Sequence, residues 1–395
     1  MKAVIFDINR LSFEGGAEKY FTEVGKELSK KDYDVFFIGD CRPILKFYIL
    51  LGSLLLVNPV WKLPRLFAEL KKSSALPAGA DRYFTHIGLS LLSLVSFSRN
   101  RKKIKGILKE SDLVLIKNEF IELLFYFLLG VRTNSYVLVF SSIQYQSPQS
   151  LRAFLHNLSY SSFIYKYLLK KIGKAVTSNS FDRDLLVKNF GLKKEKIHLI
   201  PYGLDKKYFA DKSELKTKEG FRVLFVGRME EQKGLLYLKQ IIETINSKKT
   251  KDISFCLVGS GPLEKIPTYL ASRYSNVEYK GQLSPEQVRR LYLQFDLVLI
   301  TSKWETFSYV CLEAQACGVP VVSFDIPGPR DIVSLTKGGA IVPVGEIDKF
   351  TQKILHYYSL KNKNKDKYLS LKESISKAAD SFSLGKTVDR LSRLS

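Results

Sequence analysis

Short, unbroken apolar runs recur along this chain, each followed by a stretch of helical periodicity. KAVIFDI, YDVFFIGD, DLVLIK and SYVLVFSS mark the first half, and FRVLFVG, ISFCLVGSG, DLVLITS and VPVVSFD the second. A strand with one wet face alternates apolar and polar residues, whereas a continuous run is buried on both faces. Between the runs, GGAEKYFTEVGKELSKK sets Ala17, Phe21, Val24 and Leu28 at helical spacing, and LLYLKQIIETINSKK and LEKIPTYLASRY also read as helices. SPEQVRRLYLQF carries start signals: Ser284 at the cap, Pro285 at the first position, Gln287 at the capping-box position. Strand and helix in strict alternation build parallel sheets covered on both faces, and right-handed crossovers make them doubly wound. The alternation runs twice. The expected class is therefore α/β, with two Rossmann-like doubly wound parallel-sheet domains facing a central cleft, joined near PYGLDKKYF. The expected bounds are 1–200 and 201–380, with a short amphipathic helix at about 380–395 packing back on the first domain.

Charge narrows the partners. Of 395 residues, 62 are Lys or Arg and 39 Asp or Glu, a net charge of +23. That excess favours nucleic acid, anionic membrane or phosphorylated small molecules. No nucleic-acid motif is present, and aromatics do not interleave the basic run as stacking platforms would, so nucleic acid is set aside. Cys41, Cys256, Cys311 and Cys317 form no C-x-x-C pair and no zinc spacing with histidine, and read as buried free thiols of a reducing compartment. Asp32-Tyr33-Asp34 reads as a surface turn. Asp182-Arg183-Asp184 lies in a helix pattern, where i and i+2 diverge, so no metal is expected. MKAVIFDINR reads as a first buried strand, not a signal peptide. Residues 44–60 are apolar but shorter than the ~20 residues a spanning helix needs. The region 41–110 combines that run with a second at 87–97 and a lysine- and arginine-rich stretch opposed by Glu69, Asp81 and Glu110. It fits either a face for an anionic bilayer or a local helical insertion solvated by its lysines. Residues 360–376, rich in Lys and Ser, read as a solvated helix.

In open parallel sheets, ligands bind at the carboxyl ends of the strands. Four loops there carry chemistry. In NRLSFEGGAEKY, Gly15 and Gly16 directly precede a helix, where backbone can approach a diphosphate or make a tight turn. VGRMEEQKG holds Gly227, Arg228 and Lys233, two cations able to clamp a diphosphate and neutralise a departing one. VGSGPLEKI turns sharply at Gly259, Gly261 and Pro262. The fourth is TSKWETFSYVCLEAQACGVP. With Ser308 as helix cap, Glu305 lies in the loop and Glu313 ~7 Å into the helix. The free N–H groups of the Phe307–Val310 region suit phosphate. Each carboxylate can take a hydroxyl pair, one on a sugar and one on a ribose.

With these loops in this order, the chain resembles the retaining GT-B glycosyltransferases of glycosyltransferase family 4. The resemblance covers nearly the whole length and is strongest over 195–345, where the E-x7-E pattern from Glu305 to Glu313 is specific. It implies a nucleoside-diphosphate-sugar donor, no cofactor, no metal, and retaining transfer to a glycan or lipid-linked acceptor. It makes Arg228 and Lys233 the diphosphate pair, stabilising the leaving group. Glu305 is set beside the donor sugar and Glu313 on the ribose hydroxyls. The amides of Phe307, Ser308 and Tyr309 meet sugar and phosphate, and Gly16 belongs to the loop that closes on the diphosphate. One position departs. Many relatives carry a histidine at the end of a middle N-domain strand, where VLVFSSIQYQS has Ser141 and Ser142. Ser141 or Gln144 is the expected acceptor-side substitute, while His86, His156, His198 and His356 fall elsewhere. The departure leaves a second reading open: a nucleotide-sugar-binding protein of this fold with lost or altered catalysis. The expected setting is cytoplasmic and peripheral, at the inner face of the cell membrane through 41–110.

Overall fold

The computed structural model describes residues 1–6, 16–39, 85–88, 94–118, 120–131, 136–140, 163–248 and 252–394. The chain divides into two compact units, Met1–Ile200 with Thr387–Ser395, and Pro201–Lys386. In the first, the strands are β1 (Lys2–Phe6), β2 (Asp34–Gly39), β3 (Thr85–Gly88), β4 (Leu113–Lys117), β5 (Tyr136–Phe140), β6 (Lys174–Thr177) and β7 (Ile197–Leu199). They lie in the order β3-β2-β1-β4-β5-β6-β7 and pair in parallel. The apolar runs explain this placement: every residue of β4 is buried, as are Ala3–Phe6 of β1. Helices α1 (Gly16–Ser29), α2 (Leu94–Lys109), α3 (Phe120–Leu129), α4 (Phe163–Lys170) and α5 (Ser180–Phe190) connect the strands. Of the expected helical insertion over 41–110, the described residues are 85–88 and 94–110. Thr85–Gly88 is a strand paired with β2, and α2 packs Ile104 and Leu108 into the core beside β4. These residues belong to the sheet and its cover. The run 44–60 lies outside the described residues, and no described helix is long and apolar enough to cross a membrane.

The second unit repeats the plan. Its strands are β8 (Phe221–Val226), β9 (Ile253–Val258), β10 (Val277–Tyr279), β11 (Leu297–Ile300), β12 (Val321–Phe324) and β13 (Gly339–Val342), in the order β10-β9-β8-β11-β12-β13, all parallel. Its helices are α6 (Leu235–Ser247), α7 (Lys265–Arg273), α8 (Pro285–Tyr292), α9 (Tyr309–Ala316), α10 (Pro327–Thr336), α11 (Ile347–Lys363) and α12 (Lys365–Ala379). The start of α8 forms as its sequence specifies: Ser284 Oγ accepts from Gln287 N at 3.3 Å and Gln287 Oε1 from Ser284 N at 2.9 Å. On α6, Leu238, Ile241, Ile242 and Ile245 are fully or almost fully buried under the sheet. The expectation of two Rossmann-like parallel-sheet halves therefore holds.

Residues 360–376 differ from the solvated helix expected. Asn364 splits the stretch and caps α12 through the N–H of Lys367, at 2.9 Å. One face is then buried. Lys361 donates to Asp296 Oδ1 at 2.7 Å and to the carbonyl of Gly220 at 2.6 Å. Lys372 is 1% exposed and donates to the carbonyl of Lys216 at 3.1 Å. Burial pushes its ammonium below the usual lysine range. Lysine content marks a helix as wet only when no partner waits inside. Helix α13 (Leu384–Ser392) follows. Thr387–Ser395 belongs to the first unit, where Asp389 pairs with Lys31 and the carbonyl of Leu394 accepts from Lys174.

Candidate functional site

Strand order decides where a site can form. The chain leaves β8 towards β9 and β10, then returns to place β11 on the other side of β8. The switch point lies between β8 and β11, and in such sheets the crevice outside the carboxyl ends at that point takes the ligand. The loops that follow these strands hold Gly227–Gly234 and Thr301–Ser308, which carry six of the predicted site residues: Gly227, Arg228, Lys233, Glu305, Phe307 and Ser308.

Register brings the glycines together. Strands β8 and β9 run level, with Val226 opposite Val258, so Gly227 and Gly259 emerge side by side. Gly227 N donates to the Val258 carbonyl at 3.0 Å, and Met229 N to Ser260 O at 2.8 Å. Gly259 has φ +132°, and a Cβ there would stand 1.9 Å from the Gly227 carbonyl oxygen. Gly261, at φ +152°, would place its Cβ 2.7 Å from the oxygen of Met229. Both positions require glycine for conformation and for the close backbone approach.

Lys233 and Glu305 meet across the two loops. The ammonium of Lys233 bonds Glu305 Oε1, with side chains only 16% and 12% exposed. Ser302 Oγ donates to the same carboxylate oxygen at 3.0 Å. The loops are also laced together by backbone and polar contacts. Thr301 Oγ1 donates to the Lys233 carbonyl at 2.8 Å, Lys303 N to Gln232 O at 2.8 Å, and Gln232 Nε2 to Trp304 O at 3.1 Å. Gly234, at φ +65°, lies so close to Thr301 that a Cβ would stand 1.9 Å from its oxygen. Arg228 does not join the Lys233–Glu305 contact. It is 70% exposed and pairs with Glu230 at 2.7 Å.

Ser308 caps α9, as its sequence predicts, and does so in the left-handed region, at φ 70°. Its Oγ accepts from Cys311 N at 3.4 Å. The preceding Phe307 is buried, with ring centroids 5.1 Å from Tyr202 and 5.4 Å from Tyr309. The backbone of Phe307 rests on Gly328 of α10, where a Cβ would stand 2.3 Å from the Phe307 oxygen. These contacts hold the strained turn in place. Glu305 therefore precedes the helix, while Glu313 sits on it, half-buried, and accepts from the Tyr292 hydroxyl at 3.3 Å. Burial, and then the Glu313 charge, hold the Tyr292 phenol well above its ordinary range, so it stays a donor.

Of the remaining predicted residues, Gly16 is the first residue of α1. Gly15, Ser141 and Gln144 lie outside the described residues. Sequence reasoning missed Ser302, Gln232, Tyr292 and Gly328. The first two sit inside quoted loops but carry no motif, and Tyr292 reads as an ordinary core residue of an amphipathic helix. Cys256, Cys311 and Cys317 are free and buried, and burial pushes the Cys317 thiol up to about 12. The carboxylates of the second Asp-x-Asp tripeptide have partners at the start of α5. Asp182 serves the start of α5, accepting from Asn179 Nδ2 at 2.7 Å, while Asp184 pairs with Arg183. Among the described residues no group of three or more His, Cys, Asp or Glu could hold a metal ion.

Residues 206–374, which contain both loops and helix α9, match one family model. Its description is Glycosyl transferases group 1. Solved structures extend the likeness to the whole chain. Sucrose-phosphate synthase from Thermosynechococcus elongatus superposes with a TM-score of 0.70 at 16% identity, covering 100% of this chain and 98% of that one. Anabaena HepE in complex with UDP gives 0.67 at 17% identity, covering 100% and 99%. The fold is GT-B. Among curated proteins, the UDP-Gal:alpha-D-GlcNAc-diphosphoundecaprenol alpha-1,3-galactosyltransferase of Escherichia coli is 26% identical over 249 residues, 58% of this chain and 63% of that protein. A 41.2 kDa protein of the Klebsiella pneumoniae cps region is 24% identical over 52% of this chain and 59% of its own length. The chain thus spans about three fifths of these curated relatives.

Proposed function

We propose that this chain is a metal-independent, retaining glycosyltransferase. It moves a sugar from a nucleoside-diphosphate-sugar to a glycan or lipid-linked acceptor at the cytoplasmic face of a membrane. The observation that carries the reading is the Lys233–Glu305 contact at the β8/β11 switch point, beside the Ser308-capped helix. A diphosphate arriving at the α9 N-terminus competes with Glu305 for the Lys233 ammonium. Lys233 then neutralises the leaving group, with Arg228 exposed nearby as a second cation. Glu305, still held by Ser302, is released towards donor-sugar hydroxyls, and Glu313 takes the ribose diol while Tyr292 holds its other side. Gly227, Gly259 and Gly261 keep the neighbouring turn free of side chains, so backbone can approach the nucleotide. The lipid-linked acceptor draws support from the Escherichia coli relative, whose name specifies a diphosphoundecaprenol-linked sugar.

Thermal melts with UDP, GDP and ADP, alone and as their common sugar conjugates, test the donor site. A nucleotide at 100 times its Kd adds about 2.7 kcal/mol of stability to a folded state that alone binds it. Lys233→Ala and Glu313→Gln are expected to abolish both the shift and sugar transfer while the chain stays folded. The anomeric configuration of the product, read by NMR, reports retention. No shift with any nucleotide at millimolar concentration, together with transfer unchanged in both variants, would overturn the site.

A further inference from the structure

Helix α4 turns the wrong chemistry outward for a solvated helix. Tyr165, Leu168, Leu169 and Ile172 are buried against the first sheet. The opposite face carries Phe163, Lys166, Tyr167, Lys170 and Lys171, at the i, i+3, i+4, i+7, i+8 spacing of a single stripe. Phe163 is 82% exposed and Tyr167 49%. The two rings stack at 6.4 Å, and the Lys171 ammonium lies 4.3 Å from the Tyr167 centroid. Exposing a phenylalanine almost completely forgoes most of the stabilisation its burial would bring, so this side chain is open to an apolar phase beyond the protein.

The neighbouring helices continue the surface. Helix α3 packs on α4 and exposes Leu128, whose carbonyl accepts from Arg101 of α2 at 3.1 Å. Helix α2 buries Ile104 and Leu108 and sets Lys102, Lys105 and Lys109 on its other side. Across the sequences of α2, α3 and α4 with Lys171, Glu122 is the single acidic residue. We infer that this three-helix layer docks on an anionic bilayer. Phe163, Tyr167 and Leu128 enter the headgroup–acyl boundary and the lysines reach lipid phosphates. Aromatic rings settle at that depth, and lysine stems run along apolar surface while their ammonium groups stay at the headgroups. The inference deepens the membrane-face reading above and rests on it. It assigns the contact to a helical layer that extends beyond residues 41–110.

Sedimentation with vesicles of phosphatidylcholine containing phosphatidylglycerol, against pure phosphatidylcholine, tests it on the full chain. Binding is expected to need the anionic lipid and to weaken with salt. Phe163→Ser with Tyr167→Ser is expected to lower partitioning about tenfold or more, since both rings leave the boundary. Lys166→Ser with Lys170→Ser is expected to lower it roughly fivefold per lysine. Both pairs change exposed side chains, so melting temperature and the nucleotide-induced shift should stay put. Wild type that ignores anionic vesicles overturns both this surface and the membrane-face reading. Wild type that binds while both double variants bind equally well overturns the surface alone. Tighter binding to duplex DNA than to vesicles, lost in the same variants, would assign the patch to nucleic acid and refute the bilayer.

Discussion

Removing one member of the Lys233–Glu305 pair should destabilise the second unit, and removing both should cost less than the sum. The side chains are 16% and 12% exposed, so solvent screens the pair only weakly. Breaking a buried pair typically costs about 3–5 kcal/mol because the remaining charge is stranded. Two features reduce that here. The pair is not fully enclosed, and Glu305 keeps its bond from Ser302 when Lys233 is lost. We therefore expect Lys233→Met or Glu305→Gln to cost about 1–3 kcal/mol each, below the range for full burial. The double variant should recover about 1–2 kcal/mol of the summed loss, within the usual range for directly coupled residues. Trp304 adjoins Glu305 in the chain, so tryptophan fluorescence in a urea titration gives a local probe of the change. Additive losses within about 0.3 kcal/mol would refute the reasoning, since residues that do not interact behave that way. The charge on Lys233 would then be balanced by solvent, leaving Glu305 without the role assigned to it.

Three further outcomes follow from the same geometry. Gly259→Ala should destabilise by roughly 3 kcal/mol or more, because φ +132° and a Cβ 1.9 Å from the Gly227 oxygen force the turn apart. Calorimetry checks this, and a melting temperature within a degree of wild type would contradict it. Tyr292→Phe removes the hydroxyl held by Glu313 at 3.3 Å, so nucleotide affinity should fall about fivefold through a loss of ~1 kcal/mol. The turnover number should change little, and titration calorimetry with steady-state kinetics separates the two effects. Burial, followed by the charge of Lys174, depresses the pKa of His198 below 6.5 in the folded chain. The unfolded chain then takes the proton first, so this contribution to stability is whole above pH 6.5 and declines as pH falls below it. His198→Gln should flatten that slope in melts across pH 5 to 7.

Much of the site could be read from the chain because it depends on short-range geometry. A Ser capping α9, a Glu before it and a Glu beyond it are facts about one helix start. Glycines after consecutive strands are likewise a local signature of backbone approach. What the sequence left open were partners separated by long stretches of chain. Lys233 and Glu305 read as one cation and one carboxylate in different loops, and only parallel β8/β11 pairing brings them together. Arg228 and Lys233 read as a matched pair, yet one is exposed on Glu230 and the other enclosed on Glu305. Tyr292 gave no signal, because a tyrosine on the buried face of a helix is the ordinary outcome of amphipathic patterning.

The lysines of 360–376 show the same division. Composition assigned them to solvent, and the fold assigned Lys361 to Asp296 and Lys372 to a backbone carbonyl. On α4, the sequence supplied Phe163 and Tyr167 without saying which way they face, and packing of Tyr165, Leu168 and Leu169 turned them outward. The sequence by itself therefore determined the α/β class, the twofold alternation and the loops at the strand ends, because hydrophobic period and capping act within a few residues. Tertiary structure decided which charges are buried, which are paired and which apolar side chains are left outside. Those outcomes depend on what a distant segment places opposite each residue, and no local pattern records it.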